Sequence, residues 1–137
     1  AGAKDVKFVQ IGGATGRIVP VQNIDTPLAF EAVLGAGAVT VFNQSRDIID
    51  IMFRTMEFLQ EESCGKCTPC RQGTQVMLEM LERFASGEAR PREIKDLEDL
   101  SRVMVITSLC GLGQAAPNGK LDSLQYYRDV YESRVKV

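Results

Sequence analysis

The chain has 137 residues, 45% hydrophobic and 25% charged, with a net charge of −2. That length suits one domain or two small ones, and that balance is an ordinary globular protein's. The near-neutral charge offers no footprint for nucleic acid or anionic lipid, and no apolar run approaches the ~20 residues of a membrane span.

Ala1-Gly2-Ala3-Lys4-Asp5 lacks the apolar stretch of a secretory signal. The expectation is therefore a reducing compartment, where cysteines serve metals more often than disulfides.

Residues 1–44 read as mixed strand and helix. Val6 to Ile11 alternates apolar and polar residues, as a half-buried strand does. Gly12-Gly13 breaks it, and Ala14-Thr15-Gly16 reads as a turn. Arg17 to Val21 is a second short strand, placed at an edge by Pro20. Thr26-Pro27 has the form of a helix start, for a helix from Pro27 to Leu34 that Gly35 stops. Ala38 to Phe42 is a third strand. A small sheet packed on one helix follows. The glycines at 12–16 lead into a strand and lack the lysine of a phosphate-binding loop, so a plain turn is the reading.

From residue 45 onward the pattern is helical. Ser45 is the expected cap of a helix to about Gln60, with Asp47 in its first turn. Ile48, Ile49, Met52, Phe53, Met56 and Leu59 share one face. A second helix opens near Pro69, turns Val76, Met77, Met80, Leu81 and Phe84 inward, and stops at Ser86-Gly87. A third opens at Pro91, with Ile94, Leu97, Leu100, Met104 and Val105 on its apolar side, and ends near Thr107. A fourth runs from about Leu121 to Arg134. Lys95-Asp96 and Glu98-Asp99 read as a solvated face. The fold class expected is α+β, with a small sheet unit over residues 1–44 and a four-helix bundle over 45–137.

The chemistry concentrates in the cysteines. Cys64, Cys67 and Cys70 stand at C-x2-C-x2-C spacing, Cys110 stands alone in Ser108-Leu109-Cys110-Gly111-Leu112-Gly113, and the chain has no histidine. The second and third helices have nearly equal expected lengths, about 16 residues or ~24 Å each. With only residues 86–90 between them they should lie antiparallel, which returns the Cys110 loop to the start of the second helix.

Four cysteines hold zinc or an iron–sulfur cluster. Structural zinc usually takes two close pairs, whereas a three-plus-one split suits a cubane 4Fe-4S cluster. Zinc, and disulfides or free thiols, remain the alternatives at this point. Lys66 and Arg71 flank the ligands and suit an anionic guest, as does the start of the second helix. Their bland alternative is ordinary surface charge. Gly65 lets the loop fold closely on itself, and Gly111 and Gly113 are expected to do the same around Cys110.

Glu62 to Arg71, Glu-Ser-Cys-Gly-Lys-Cys-Thr-Pro-Cys-Arg, together with Ser108 to Gly113, resembles the iron–sulfur region of the family of NADH-binding flavoprotein subunits. That family includes the 51 kDa subunit of respiratory complex I, diaphorase subunits of NAD(P)-reducing hydrogenases and the β subunit of NAD-dependent formate dehydrogenases. The preceding part, from Phe8-Val9-Gln10-Ile11-Gly12-Gly13 through Val39-Thr40-Val41-Phe42, is similar to its β-grasp, SLBB-type domain.

The resemblance implies that Cys64, Cys67, Cys70 and Cys110 ligate one 4Fe-4S cluster. It implies an electron relay from FMN, reduced by NAD(P)H, to iron–sulfur clusters of partner subunits, on the cytoplasmic or matrix side of a complex. The family's flavin- and nucleotide-binding domain lies upstream of the β-grasp part and is not among these residues. The expectation is thus one module of an NAD(P)H-dependent oxidoreductase, not catalytic alone. The rival from another class is a zinc-stapled or metal-free interaction module.

Overall fold

A computed structural model describes residues 4–28 and 35–136. Its first part holds three antiparallel strands, β1 (Val6–Ile11), β2 (Arg17–Pro20) and β3 (Val39–Asn43), in the order β2-β1-β3. Val9 faces Val19 on one side and Val41 on the other. Gly12 and Gly13 adopt φ of 97° and 75°, and a single 3-10 turn over Gly13–Thr15 leads into β2. Most of the helix expected at 27–34 lies outside the described residues.

Six helices follow among the described residues: α1 (Ile48–Glu61), α2 (Thr68–Ser86), α3 (Glu93–Thr107), α4 (Gly111–Ala115), α5 (Asn118–Tyr126) and α6 (Arg128–Glu132). Sheet and helices share one core. Phe8 and Ile18 meet Met52 and Met56 of α1, Met77, Leu81 and Phe84 of α2, Leu97 and Met104 of α3, and Leu124 and Tyr131. Burial of side chains of this size, each worth about 1.5–3 kcal/mol, holds the elements together.

Several boundaries differ from the sequence expectation. Asp47, not Ser45, caps α1: its carboxylate accepts from the Ile49 N–H at 2.9 Å, while the Ser45 hydroxyl turns to Asn43. Helix α3 begins at Glu93 instead of Pro91, because the Glu93 carboxylate accepts from the Arg90 N–H and from Arg83. Burial pushes that carboxyl up, but these two donors together hold it below its ordinary range. Val76 and Val105 are exposed, since α2 and α3 meet through neighbouring positions on their stripes. The expected fourth helix is broken at Tyr127, whose ring packs on Phe8 and whose hydroxyl donates to the Lys7 carbonyl at 3.1 Å.

Candidate metal centre

The segment between α1 and α2 carries three cysteines, and the segment after α3 carries the fourth. Helices α2 and α3 run antiparallel. Arg83 pairs with Glu93 at one end, and Gly73 lies against Met104 toward the other. The lengths are 19 and 15 residues instead of equal, yet the return still occurs, because these two contacts set the register. Gly73 has no Cβ where one would stand 2.4 Å from the Met104 sulfur, which allows the close approach.

The Cys110 loop therefore reaches the start of α2. A Cβ on Gly113 would stand 2.9 Å from the Cys70 Cβ and 2.6 Å from the Ser108 hydroxyl. The Cys67 thiol is held below its ordinary range, most strongly by the backbone N–H of Leu109 and next by that of Cys70. Partial desolvation opposes this, and the Arg71 charge adds to it. Cys70 is buried, Cys67 half-buried, and Cys64 and Cys110 exposed.

Gly65 turns the first loop at φ +71°. Arg71 folds back over it, donating to the Gly65 carbonyl at 2.5 Å and reaching the Thr68 hydroxyl at 3.5 Å. Lys66 is exposed and makes no hydrogen bond or ion pair among the described residues. The two cations thus differ: Arg71 braces the loop, while Lys66 adds charge alone. Gly111 has open space around it, so of the two glycines after Cys110 only Gly113 is required by close packing.

Two serines escaped the sequence reading. The Ser63 hydroxyl stands 3.3 Å from the Cys70 sulfur and accepts from the Gly65 N–H at 3.4 Å. Ser108 is 4% exposed, and its hydroxyl has no hydrogen-bond partner among the described residues. Each lies within two positions of a cysteine, which is the only signal the sequence offered.

Among the described residues no three histidine, cysteine or acidic side chains stand close enough to hold one metal ion. A single tetrahedral zinc, with bonds of ~2.3 Å, needs thiolates ~3.8 Å apart. A cubane spreads its thiolates over four irons, on the order of 6 Å apart.

A profile of the NADH-ubiquinone oxidoreductase-F iron-sulfur binding region matches residues 50–134. The chain is 31% identical to the NADP-reducing hydrogenase subunit HndC of Solidesulfovibrio fructosivorans, over 96% of this chain and 28% of that protein. It is 35% identical to the NAD-reducing hydrogenase HoxS subunit alpha of Cupriavidus necator, over 98% and 22%. The structure superposes on an NAD+-reducing NiFe-hydrogenase in the H2-reduced state with a TM-score of 0.89 and 34% identity, covering 96% of this chain and 23% of that one. The chain thus spans less than a third of the length of these relatives.

Proposed function

This chain belongs to the family of NADH-ubiquinone oxidoreductase-F iron-sulfur binding regions, and on that footing we propose that it is an electron-relay module. In this reading Cys64, Cys67, Cys70 and Cys110 hold one 4Fe-4S cluster, the cofactor of the family. When bound, that cluster supplies one-electron chemistry between FMN, reduced by NAD(P)H in a domain beyond these residues, and iron–sulfur clusters of partner proteins. Residues 1–44 are read as the β-grasp, SLBB-type unit, and 45–137 as the cluster-binding helical unit, a four-helix bundle whose last member is divided. No bond-making step is assigned to this chain's own side chains.

The observation that carries this reading is the return of the Cys110 loop to the start of α2. Leu109 lies against Cys67, and Gly113 against Cys70. The donor set fits the group. Gly113 lets the second loop pack tightly on Cys70, backbone N–H groups favour a thiolate at Cys67, and a buried serine hydroxyl is without an acceptor among the described residues. The three-plus-one division of the cysteines between two loops favours a cluster over a single zinc.

The residues around the site have two tasks. Gly65, Arg71 and the Ser108 backbone fix the loops: the Ser108 N–H donates to the Met104 carbonyl, and its own carbonyl accepts from Gln114. The apolar residues behind Cys70 exclude water from one side, which together with N–H bonds to sulfur sets a cluster's potential. Ile106 and Leu109, each 81% exposed, offer a partner protein an apolar contact beside Cys110. No helix among the described residues is long and apolar enough to cross a membrane. The reading puts the chain on the cytoplasmic or matrix side of a multi-subunit complex.

Metal and acid-labile sulfide analysis on anaerobically purified protein, with EPR after dithionite, tests this. About four irons and four sulfides per chain are expected, with a signal near g ~1.9. Stoichiometric zinc, or a well-folded protein without metal, would replace the relay with a structural or partner-binding module.

A further inference from the structure

Cys70 differs from the other three cysteines in being buried, at 4% exposure; the Ser63 hydroxyl stands beside its sulfur, and Ser108 packs with it around Gly113. Ser63 comes from the first cysteine loop and Ser108 from the second. The direction of the Ser63 contact follows from chemistry. Its oxygen accepts the Gly65 N–H, so its own proton is free to be donated. A Cys70 thiolate holding iron has no proton to give, and at 3.3 Å the serine is then the donor.

Ser108 presents the complementary case. Its backbone N–H and carbonyl are both used, by Met104 and Gln114. Its side-chain oxygen is buried without a partner among the described residues. Such an orphan costs about 1–3 kcal/mol and persists in native structures for a reason. The single point at which Gly113 lacks a Cβ is 2.6 Å from this oxygen and 2.9 Å from the Cys70 Cβ. The hydroxyl is thus on the Cys70 side of the site.

We infer that Ser63 and Ser108 are paired hydroxyl donors to the Cys70 corner of the cluster, and that they raise its reduction potential. The inference rests on the iron–sulfur reading above. No bond is made or broken: each O–H proton stays on its serine. On one-electron reduction the cluster's formal charge goes from about −2 to about −3, and a hydrogen bond to sulfur stabilises the more negative state more. Ser63 and Ser108 are positioning residues, since neither oxygen is a ligand.

The test is an EPR-monitored redox titration of the cluster-loaded full-length protein, with iron and sulfide content measured on every variant. Ser63→Ala and Ser108→Ala are each expected to lower the reduction equilibrium constant up to about tenfold, which is ~59 mV for a one-electron step. The double variant should shift further, and Ser63→Thr, which keeps the hydroxyl, should return close to the parent value. Full cluster content with an unchanged potential in both alanine variants would overturn the inference and leave the relay reading intact. A parent protein without a cluster would remove the relay reading itself. Should Ser108→Ala lose its cluster, Ser63→Ala decides alone, because its contact to the Cys70 sulfur is seen directly.

Discussion

Arg17 grips Asp122 with both arms of its guanidinium, Nε donating to Oδ2 at 2.8 Å and Nη2 to Oδ1 at 2.7 Å. The same carboxylate accepts the Ile18 N–H at 2.9 Å. One side chain of α5 thereby ties down the edge strand β2 from 105 positions away. Asp122 is 3% exposed and Arg17 47%, so the pair is anchored in protein at one end and screened by water at the other.

Asp122→Ala should therefore destabilise the chain by about 2–3 kcal/mol, chiefly because the Ile18 N–H and the guanidinium lose their acceptor. Asp122→Asn, which can still accept from Ile18, should cost less. Urea denaturation followed by circular dichroism would show both. Equal midpoints for all three proteins would mean that α5 and the sheet do not depend on this contact.

Alanine at any one of Cys64, Cys67, Cys70 or Cys110 should leave less than a full cubane. Cys110→Ala is the sharpest case, because that residue sits on a separate loop 40 positions from Cys70. Iron content and EPR line shape are the readout. A complete cluster of about four irons in Cys110→Ala, with no substitute ligand, would sink the ligand assignment.

The two glycines after Cys110 should respond oppositely. A Cβ at Gly113 would press into Ser108 and Cys70 near their backbones, at 2.6 and 2.9 Å, where neither can swing away. Gly113→Ala should cost about 1–3 kcal/mol and loosen cluster retention. Gly111 meets nothing within 4 Å, and Gly111→Ala should stay within about 0.5 kcal/mol of the parent. Thermal melts and iron content would separate them.

Lys120 is fully buried with no hydrogen-bond partner for its amine among the described residues. Burial pushes its pKa down from 10.5 to about 7. Below pH 7 folding must bury a charge, and the penalty is present in full. Between pH 7 and 10.5 the unfolded chain binds the extra proton, so this penalty shrinks as pH rises and is gone above 10.5. Lys120→Met should stabilise the chain by roughly a few kcal/mol at pH 6, and by progressively less toward pH 10. Chemical denaturation of both proteins across that range would show the converging curves. Parallel curves would mean that the amine finds an acceptor.

Much of the local structure was legible. Alternation located β1, the other two expected strands match β2 and β3 to within one residue, and Gly87, at φ +74°, ends α2 where the sequence placed the stop. The cap of α1 was misassigned because Ser45 and Asp47 are both good caps. Asp47 prevails where Ile48 is the first buried residue and where Arg134 pairs with the Asp47 carboxylate. Val76 and Val105 were placed inside by a spacing that Met77 and Met104 also satisfy. A stripe at 3–4 spacing leaves its exact centre to whichever helix packs against it.

The sequence by itself determined where the four thiols stand along the chain, and that two antiparallel helices join their loops. These follow from residue type and local periodicity, which act over a few positions. Only the tertiary structure decided that Cys70 is the buried thiol, that the Ser63 hydroxyl reaches its sulfur, and that Tyr127 breaks the last helix against Phe8. It also decided that Asp122 and Lys120 lie inside. Each of these depends on which element packs against which, and the energy of that packing is shared among residues far apart in the chain.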